Sequence, residues 1–455
     1  MNLISTVIEW FKSTFNIKTV DKPLKEINSD FHDVDKISIA AALSERLTTL
    51  AISDSSVEVI GDNKRAQYLN KLMEWIGNTK LAVIGQICLG TGDCLVKPNT
   101  DGTRIGLDII ENKDFYIVDR TGDFLYGVVI RCEKIKKDNQ DIYERFEYQR
   151  LHEAEGMSYV TISQHAFKNG KPCNLGAIGA WADYAEVQII PNVDRLVLGR
   201  FKCPKVNRHD INSANGVPIT SGAEEIIREI KASWRRFNYE FEAMEPMIFA
   251  DKRTFRTKVV TKDGVKRDVP NLPKGKERII MNVGSSGSID GTPMMKEWAP
   301  TIRDASLDNA IERNLRMLEM FCGLSEGILS KSSLTYTNTD EVRKSTQATF
   351  AFITSFRRVL ESGLTDLLYA IDKLANYNEI TAPGEYTINF DWSDSFVESM
   401  TERFNQMLQA NNMDAISTAE LRAWVMDEPI DVAEAKLLEM QAKNLGDVDE
   451  QEGIS

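Results

Sequence analysis

The sequence contains few of the side chains that metal sites and acid–base sites usually require. Its 455 residues include four histidines and six cysteines. The histidines (His32, His152, His165 and His209) lack metal-ligand spacing, and no cysteine belongs to a CxxC pair. A zinc site, a disulfide framework and histidine-based catalysis are therefore not expected, and the cysteines should be buried, reduced thiols.

Motifs for nucleotide binding and for hydrolysis are also missing. The chain has no GxxxxGK[ST] phosphate-binding loop and no GxSxG nucleophile motif. Gly90 and Gly92 follow a predicted helix and lack the third glycine of a dinucleotide fingerprint, which indicates a turn. We therefore expect a protein that is not an enzyme and that needs no cofactor or metal.

Long apolar runs are absent as well. No run approaches the ~18–20 residues that a membrane-spanning helix needs. Residues 1–15 lack the basic start and the cleavage site of a signal peptide, and their amphipathic pattern indicates a packed helix. These features predict a cytosolic origin and no membrane partner.

Acidic residues dominate the charge of the chain, which is −13 overall. This value argues against general adhesion to nucleic acid, because cations drive phosphate binding, although solubility alone would also explain it. Residues 251–280 reverse the sign, with ten Lys/Arg against four acids and a net charge of +6. The cations are Lys252, Arg253, Arg256, Lys258, Lys262, Lys266, Arg267, Lys274, Lys276 and Arg278. Turn signals at 263–264 and 270–273 predict a β-hairpin-like insertion that serves as a docking surface or a DNA-facing tip.

The first half of the chain has the pattern of an α+β unit. Helices are predicted at 36–52 and 63–89. Short alternating segments at 94–97, 105–110, 115–119, 125–133, 142–149 and 158–164 follow, separated by turn residues, and they are typical of antiparallel strands.

The second half is predicted to be mostly helical. Apolar residues recur every three or four positions in 223–245, and again in 301–322 after the basic insertion. A Ser/Thr/Asn-rich loop at 324–340 leads into a long helix at 341–377. The tail from Asp391 holds fifteen acids and four bases, with helices predicted near 394–410 and 417–444.

Taken in order, these features resemble the portal proteins of tailed bacteriophages, in particular those of siphophages that infect Gram-positive hosts. The resemblance covers nearly the whole chain and depends on a diffuse pattern. Its most specific segments are ICLGTGDC at 87–94, GVPI at 216–219, MKEWAPTIR at 295–303, LSEGI at 324–328 followed by TYTNTD at 335–340, and INFDWSDS at 388–395.

The resemblance implies a ring, usually a dodecamer, at one vertex of the capsid. It divides the chain into a wing (1–222 and 341–390), two stem helices (223–250 and 296–322), a basic β-rich clip (251–295), a channel-lining tunnel loop (323–340), an acidic helical crown (391–445) and a disordered tail (446–455). In the family, double-stranded DNA passes through the channel for packaging and ejection. The terminase large subunit docks at the clip, and a head–tail adaptor and the capsid or scaffold proteins are further partners. The implied location is the virion, with assembly in the host cytoplasm.

Two sets of site residues follow from this resemblance. In the loop, Lys331 is expected to meet DNA phosphates, with Ser332, Ser333, Tyr336 and Asn338 as weaker companions. The loop could equally be an ordinary helix–helix linker. The ten cations of the clip are expected to form a docking surface for terminase or adaptor, although a DNA contact and charge balance between subunits are also open.

Two other functions compete with a portal. A head–tail adaptor or scaffold would bind protein only. A metal-dependent nuclease could use Asp391, Asp394 and Glu398, although the same acids would also suit the N-cap and first turn of a helix.

Overall fold

The structure is a computed structural model of the 455-residue chain. It describes residues 3–17, 20–21, 30–33, 37–53, 55–137, 141–154, 156–243, 247–251, 257–262, 265–270, 279–282, 295–298, 303–331, 339–392, 407–413, 415–426, 429–430 and 432–438. Of the side chains at 242–302 and 332–345, only that of Val259 is described.

The described part of the first hundred residues contains four α-helices: α1 (Leu3–Phe15), α2 (Ile39–Ile52), α3 (Lys64–Thr79) and α4 (Leu81–Thr91). The side chains of Ser38 and Asn63 cap α2 and α3 by accepting hydrogen bonds from the main chain. The prediction of one helix over 63–89 was wrong, since the helix is interrupted at Lys80. Lys80 itself keeps helical dihedral angles. Because no glycine or proline stands at this position, the sequence does not indicate the interruption.

Ten strands are described in the first half, of which β1 lies between α2 and α3, and they include all six predicted strands with longer bounds. They are β1 (Ser55–Ile60), β2 (Asp93–Thr100), β3 (Ile105–Glu111), β4 (Phe115–Thr121), β5 (Phe124–Lys136), β6 (Ile142–Ala154), β7 (Met157–Lys168), β8 (Lys171–Cys173), β9 (Val187–Pro191) and β10 (Gly199–Lys202). The largest sheet has the antiparallel order β4-β5-β6-β7-β8, and β9 pairs with β7. A second sheet has the order β10-β2-β3.

Among its described residues, the second half contains three longer helices, α5 (Glu224–Ala243), α6 (Asp304–Cys322) and α7 (Thr339–Tyr377), and a short helix at Thr418–Met426. Residues 407–412, 430 and 432–438 are helical as well. Between α5 and α6 lie β11 (Met247–Asp251), β12 (Thr257–Lys262), β13 (Val265–Pro270), β14 (Ile279–Asn282) and β15 (Met295–Trp298). The last strand, β16 (Thr387–Trp392), follows α7. This mixture of helices and sheets confirms the predicted α+β class.

The six-stranded sheet is covered on both faces. On one face, α1 buries Val7, Ile8 and Phe11 against apolar side chains of β4, β5, β6 and β7. On the other face, the sheet packs on residues of β2 and on Ala370 of α7. Helix α7 also contributes Phe356, Leu360, Leu364, Leu367 and Ile371 to the largest core cluster, together with residues of α2, α3 and α4.

Two of the sequence segments that carry the portal resemblance meet in space. Gly92 ends α4 in the left-handed region, with φ of 94°, and a Cβ there or at Gly216 would clash with the main chain of the other segment. The buried Asp93 carboxylate accepts from the Gly216 main chain at 3.0 Å and from the Arg200 guanidinium at 2.5 Å. The segments 87–94 and 216–219 therefore form one packed joint, and α5 begins five residues beyond it.

The start of the acidic tail differs from the predicted helix N-terminus. Asp391 lies in β16, which pairs antiparallel with β1, with Asp391 opposite Ser56. A helix N-cap at Asp391 is therefore wrong, because pairing with a strand more than 300 residues earlier holds this segment extended. Asp394 and Glu398 lie outside the described residues.

Candidate functional site

Helices α5 and α6 form an antiparallel pair. Arg303, directly before α6, donates from Nε and Nη2 to the carboxylate of Glu240 near the end of α5, at 2.8 and 3.0 Å. At the opposite end, Ile227 and Ile230 of α5 share a core cluster with Leu318 of α6. The basic segment is inserted at the Glu240–Arg303 end, away from this core.

The core end of the pair is fastened to the first half of the chain. Lys231 of α5 lies 2.9 Å from the Asp30 carboxylate and 3.1 Å from that of Asp33. The buried Asp30 also accepts from the main-chain N–H groups of Ile39 and Ala40, at 2.9 Å each. One carboxylate therefore caps α2 and holds α5 at the same time, which fixes the direction of the pair relative to the core.

Both helices leave large apolar side chains in solvent, from the middle of α5 toward its Glu240 end and over the last turns of α6, near the core end. On α5, Trp234 stacks on Phe237, which meets Phe241 edge-on, and Trp234 and Phe241 are 42% and 46% exposed. On α6, Met317, Met320 and Phe321 are 42%, 65% and 49% exposed. By helical periodicity the α6 patch lies away from the buried Ile311 and Leu318. The pair thus presents two different apolar surfaces, one on each helix.

The basic segment contains strands, as predicted, within its described residues. β11 pairs in parallel with β14 and antiparallel with β15, and β12 and β13 form a hairpin. Lys258 and Lys262 lie on β12, and Lys266 and Arg267 lie on β13. The other six predicted docking cations (Lys252, Arg253, Arg256, Lys274, Lys276 and Arg278) lie outside the described residues.

The loop after α6 begins with a tight turn. Gly323 adopts φ of 74°, and the Leu324 N–H donates to the main-chain oxygen of Glu319 at 2.8 Å. The Ser325 N–H donates to Oγ1 of the buried Thr349 at 2.9 Å, and the Thr349 N–H donates to Ser325 Oγ at 3.3 Å. This reciprocal pair ties the loop to α7.

Glu319 holds the other end of the same loop. Its side chain accepts from the Leu329 N–H at 2.5 Å, from the Ser330 N–H at 2.9 Å and from Ser330 Oγ at 2.7 Å. Glu319 is 1% exposed and Ser330 is 7% exposed. The carboxylate is therefore enclosed by loop donors.

Lys331, the predicted phosphate contact, leaves this enclosed region. Its N–H donates to Glu312 at 2.8 Å, and its ammonium lies 3.1 Å from the carboxylate of Asp308, which raises the pKa of Lys331. The side chain is 74% exposed. Its companions Ser332, Ser333, Tyr336 and Asn338 lie outside the described residues.

The acids of α6 contact the loop in a way that the sequence did not predict. Asp308, Glu312 and Glu319 lie close together on the helical wheel, and each binds the loop. The apolar periodicity of 301–322 does not identify these three acids, because it concerns only the buried side of the helix. One signal could have indicated Glu319. It lies next to the apolar residue Leu318, and Ser330, a possible hydrogen-bond donor, follows within a dozen residues.

The described residues contain no group of three or more His, Cys, Asp or Glu side chains arranged to hold a metal ion. Within the same part of the chain, no helix combines the length and the apolar character needed to cross a membrane.

The chain matches no protein-family model and no curated protein sequence. Among solved structures, it is similar to a chain described as "Neck of empty GTA particle computed with C6 symmetry". The TM-score is 0.37 and the identity 11%, over 86% of this chain and 89% of that chain. A TM-score of this size does not establish a shared fold.

Proposed function

We propose that this chain is a portal-type subunit that assembles into a ring, with twelve copies as the expected number, around a channel for double-stranded DNA. The ring occupies the unique capsid vertex, serves packaging, retention and ejection of DNA, and binds terminase and later head–tail connector proteins. The protein acts as a conduit and docking platform, without catalysis of its own.

The observation that carries this proposal is the pair of apolar surfaces on α5 and α6. A closed ring of identical subunits needs two different surfaces on each copy, one that meets the neighbour on each side. The Trp234–Phe241 stripe and the Met317–Met320–Phe321 patch are two such surfaces, on two helices fastened to the core at one end. Contiguous patches of exposed apolar side chains commonly mark interfaces between proteins, whereas single exposed apolar side chains do not.

The positions of the two other segments support the same assignment. The basic hairpin β12–β13 is inserted at the Glu240–Arg303 end of the helix pair, where a docking partner can reach it. The loop after α6 leaves the helix at the other end and runs back along it, so that the exposed Lys331 contacts Glu312 and Asp308. We assign the first segment to terminase or adaptor docking and the second to contact with DNA phosphates, which needs no reading of bases.

The assembly is tested with two methionines of nearly equal exposure. Met320 on α6 is 65% exposed and Met157 on β7 is 66% exposed. We expect wild type to form rings in negative-stain microscopy and a high-mass species in light scattering. Met320→Glu should remain monomeric because it places a charge in the subunit contact, while Met157→Glu should still form rings. Monomers of wild type at every concentration, or rings of Met320→Glu, would contradict the proposal.

The role of the loop is tested by Lys331→Ala combined with shortening of 332–338. We expect intact rings and a defect in DNA packaging or retention. Normal packaging by this variant would remove the loop from the DNA path.

The two alternative functions make different predictions. A nuclease that used Asp391, Asp394 and Glu398 would cleave plasmid DNA in magnesium or manganese, whereas we expect no cleavage. A head–tail adaptor or scaffold that binds only protein would form its complexes without any DNA defect in the loop variant.

A further inference from the structure

Residues 324–330 form a closed loop whose two ends are bound to the same residue, Glu319. At the first end, its main-chain oxygen accepts from Leu324 at 2.8 Å. At the second end, its carboxylate accepts from Leu329 and Ser330. We propose that Glu319 is the positioning residue of this loop and sets the point, Lys331, at which the DNA-facing part begins. The DNA-facing role rests on the function proposed above, whereas the positioning role does not.

Burial divides the loop contacts into two kinds. The Glu319 carboxylate and the Ser330 hydroxyl are enclosed, so losing one partner would leave buried polar groups unpaired. The Lys331–Asp308 pair is 74% and 50% exposed, and exposed ion pairs of this kind contribute little and weaken in salt. The chain is therefore held firmly up to Ser330 and only weakly at the Lys331 side chain.

The packing of α6 alone does not explain why a carboxylate is buried at position 319. Its neighbours on the buried side, Leu318 and Cys322, fill the core with apolar side chains. A carboxylate loses its hydration when it is buried, and this loss is offset only where donors surround it. The donors found here are Leu329 N–H, Ser330 N–H and Ser330 Oγ, all from the loop. The Glu319 carboxylate therefore accepts hydrogen bonds that only the folded loop can donate.

Hydrogen–deuterium exchange of the full-length protein tests the positioning role directly. We expect Glu319→Ala to raise the exchange rate of the peptide containing Leu329 and Ser330 by about tenfold or more, because both amide N–H groups lose the carboxylate oxygen to which they donate. Peptides from α5 and from β5–β7 should be unchanged. Arg313→Ala changes an exposed side chain of α6 on another face of the helix and should leave the exchange at 329–330 unaltered.

Two further variants keep the test decisive if Glu319→Ala does not fold. Glu319→Gln keeps an oxygen acceptor and should raise exchange at 329–330 less than Glu319→Ala. Ser330→Ala removes one donor and leaves both amide bonds, so its increase should be smaller again. Unchanged exchange in both variants, or an increase spread over the whole chain, would overturn the positioning role of Glu319.

DNA retention in assembled particles separates this inference from the proposed function. Faster exchange at 329–330 in Glu319→Gln together with impaired retention supports both. Faster exchange with normal retention supports Glu319 as the positioning residue and contradicts the DNA role of the loop. Unchanged exchange with impaired retention supports a DNA role but overturns the assignment to Glu319.

Discussion

Helices α1 and α5 carry apolar stripes of similar spacing, but their stripes have different surroundings. In α1, Val7, Ile8 and Phe11 are at most 1% exposed, because the helix lies across a sheet. In α5, Ile230 is 5% exposed at the core end, whereas Phe241 is 46% exposed toward the other end. The apolar stripe of α1 is buried within its own chain. The apolar stripe of α5 is buried only in the half of the helix that joins the core.

This difference shows that a helical pattern indicates which side of a helix is covered but not what covers it. Apolar residues every three or four positions predict a helix and the side on which it will be covered. They do not identify what covers it, since a sheet of the same chain and a neighbouring subunit both demand the same periodicity. Only the exposure of Trp234 and Phe241 in the folded chain distinguishes the two cases.

The largest effect on folding should come from the covered stripe. Phe11 is fully buried and contacts the rings of Phe146, Tyr148 and Phe167. Phe11→Ala should lower the free energy of unfolding by about 3–5 kcal/mol through lost burial and the cavity that remains. Urea unfolding measures this loss, and Ser13→Ala, at an exposed position of the same helix, should change the free energy of unfolding by less than about 0.5 kcal/mol. Equal losses in the two variants would mean that α1 does not depend on this contact.

A smaller effect should come from pH at the edge of the same cluster. Burial lowers the pKa of His165 to about 4, and the ring lies against Trp10, Phe11 and Phe15. Its Nε2 is 2.9 Å from Ser163 Oγ. The folded state therefore keeps this imidazole neutral under conditions in which an unfolded histidine would bind a proton.

The direction of the pH effect follows from that difference. Above the unfolded pKa of about 6.5, both states are neutral and the folded state has no disadvantage. Between about pH 6.5 and 4 the unfolded chain binds the proton first, so stability falls as pH falls. Between about pH 7 and pH 5 we expect His165 to account for a loss on the order of 1–2 kcal/mol, reduced by its partial exposure. Urea unfolding of His165→Gln should show a smaller loss over that interval, and an equal loss would exclude His165 as the cause.

Much of the architecture could be predicted from local sequence patterns. Alternation predicted β2 to β7, and helical periodicity predicted α1, α5, α6 and α7. The strands β1 and β16 were missed, because each is short and is defined by pairing with a partner more than 300 residues away. Pairing across such distances leaves little signal in the local pattern.

The candidate site was predictable only in part. Lys331 could be singled out as a lone cation in a polar loop, but its partners Asp308 and Glu312 could not, because they depend on how the loop folds back on α6. Glu319 was missed for the same reason. A buried carboxylate is recognised by its donors, and two of the three donors to Glu319 are main-chain N–H groups, which nearly every residue possesses.

The smallest effect on folding, and the sharpest test of the comparison, should come from the uncovered part of α5. Phe241 and Tyr239 lie on opposite sides of this helix and are 46% and 67% exposed. We expect Phe241→Ser and Tyr239→Ser each to change the free energy of unfolding by less than about 1 kcal/mol, because both side chains are already largely in solvent. If the Trp234–Phe241 stripe is covered by a neighbouring subunit, only Phe241→Ser should lower the fraction of protein in rings at a given concentration, as measured by light scattering. Equal ring fractions in the two variants would show that no neighbouring subunit covers the exposed stripe of α5. Helices α1 and α5 would then share only the spacing of their apolar residues.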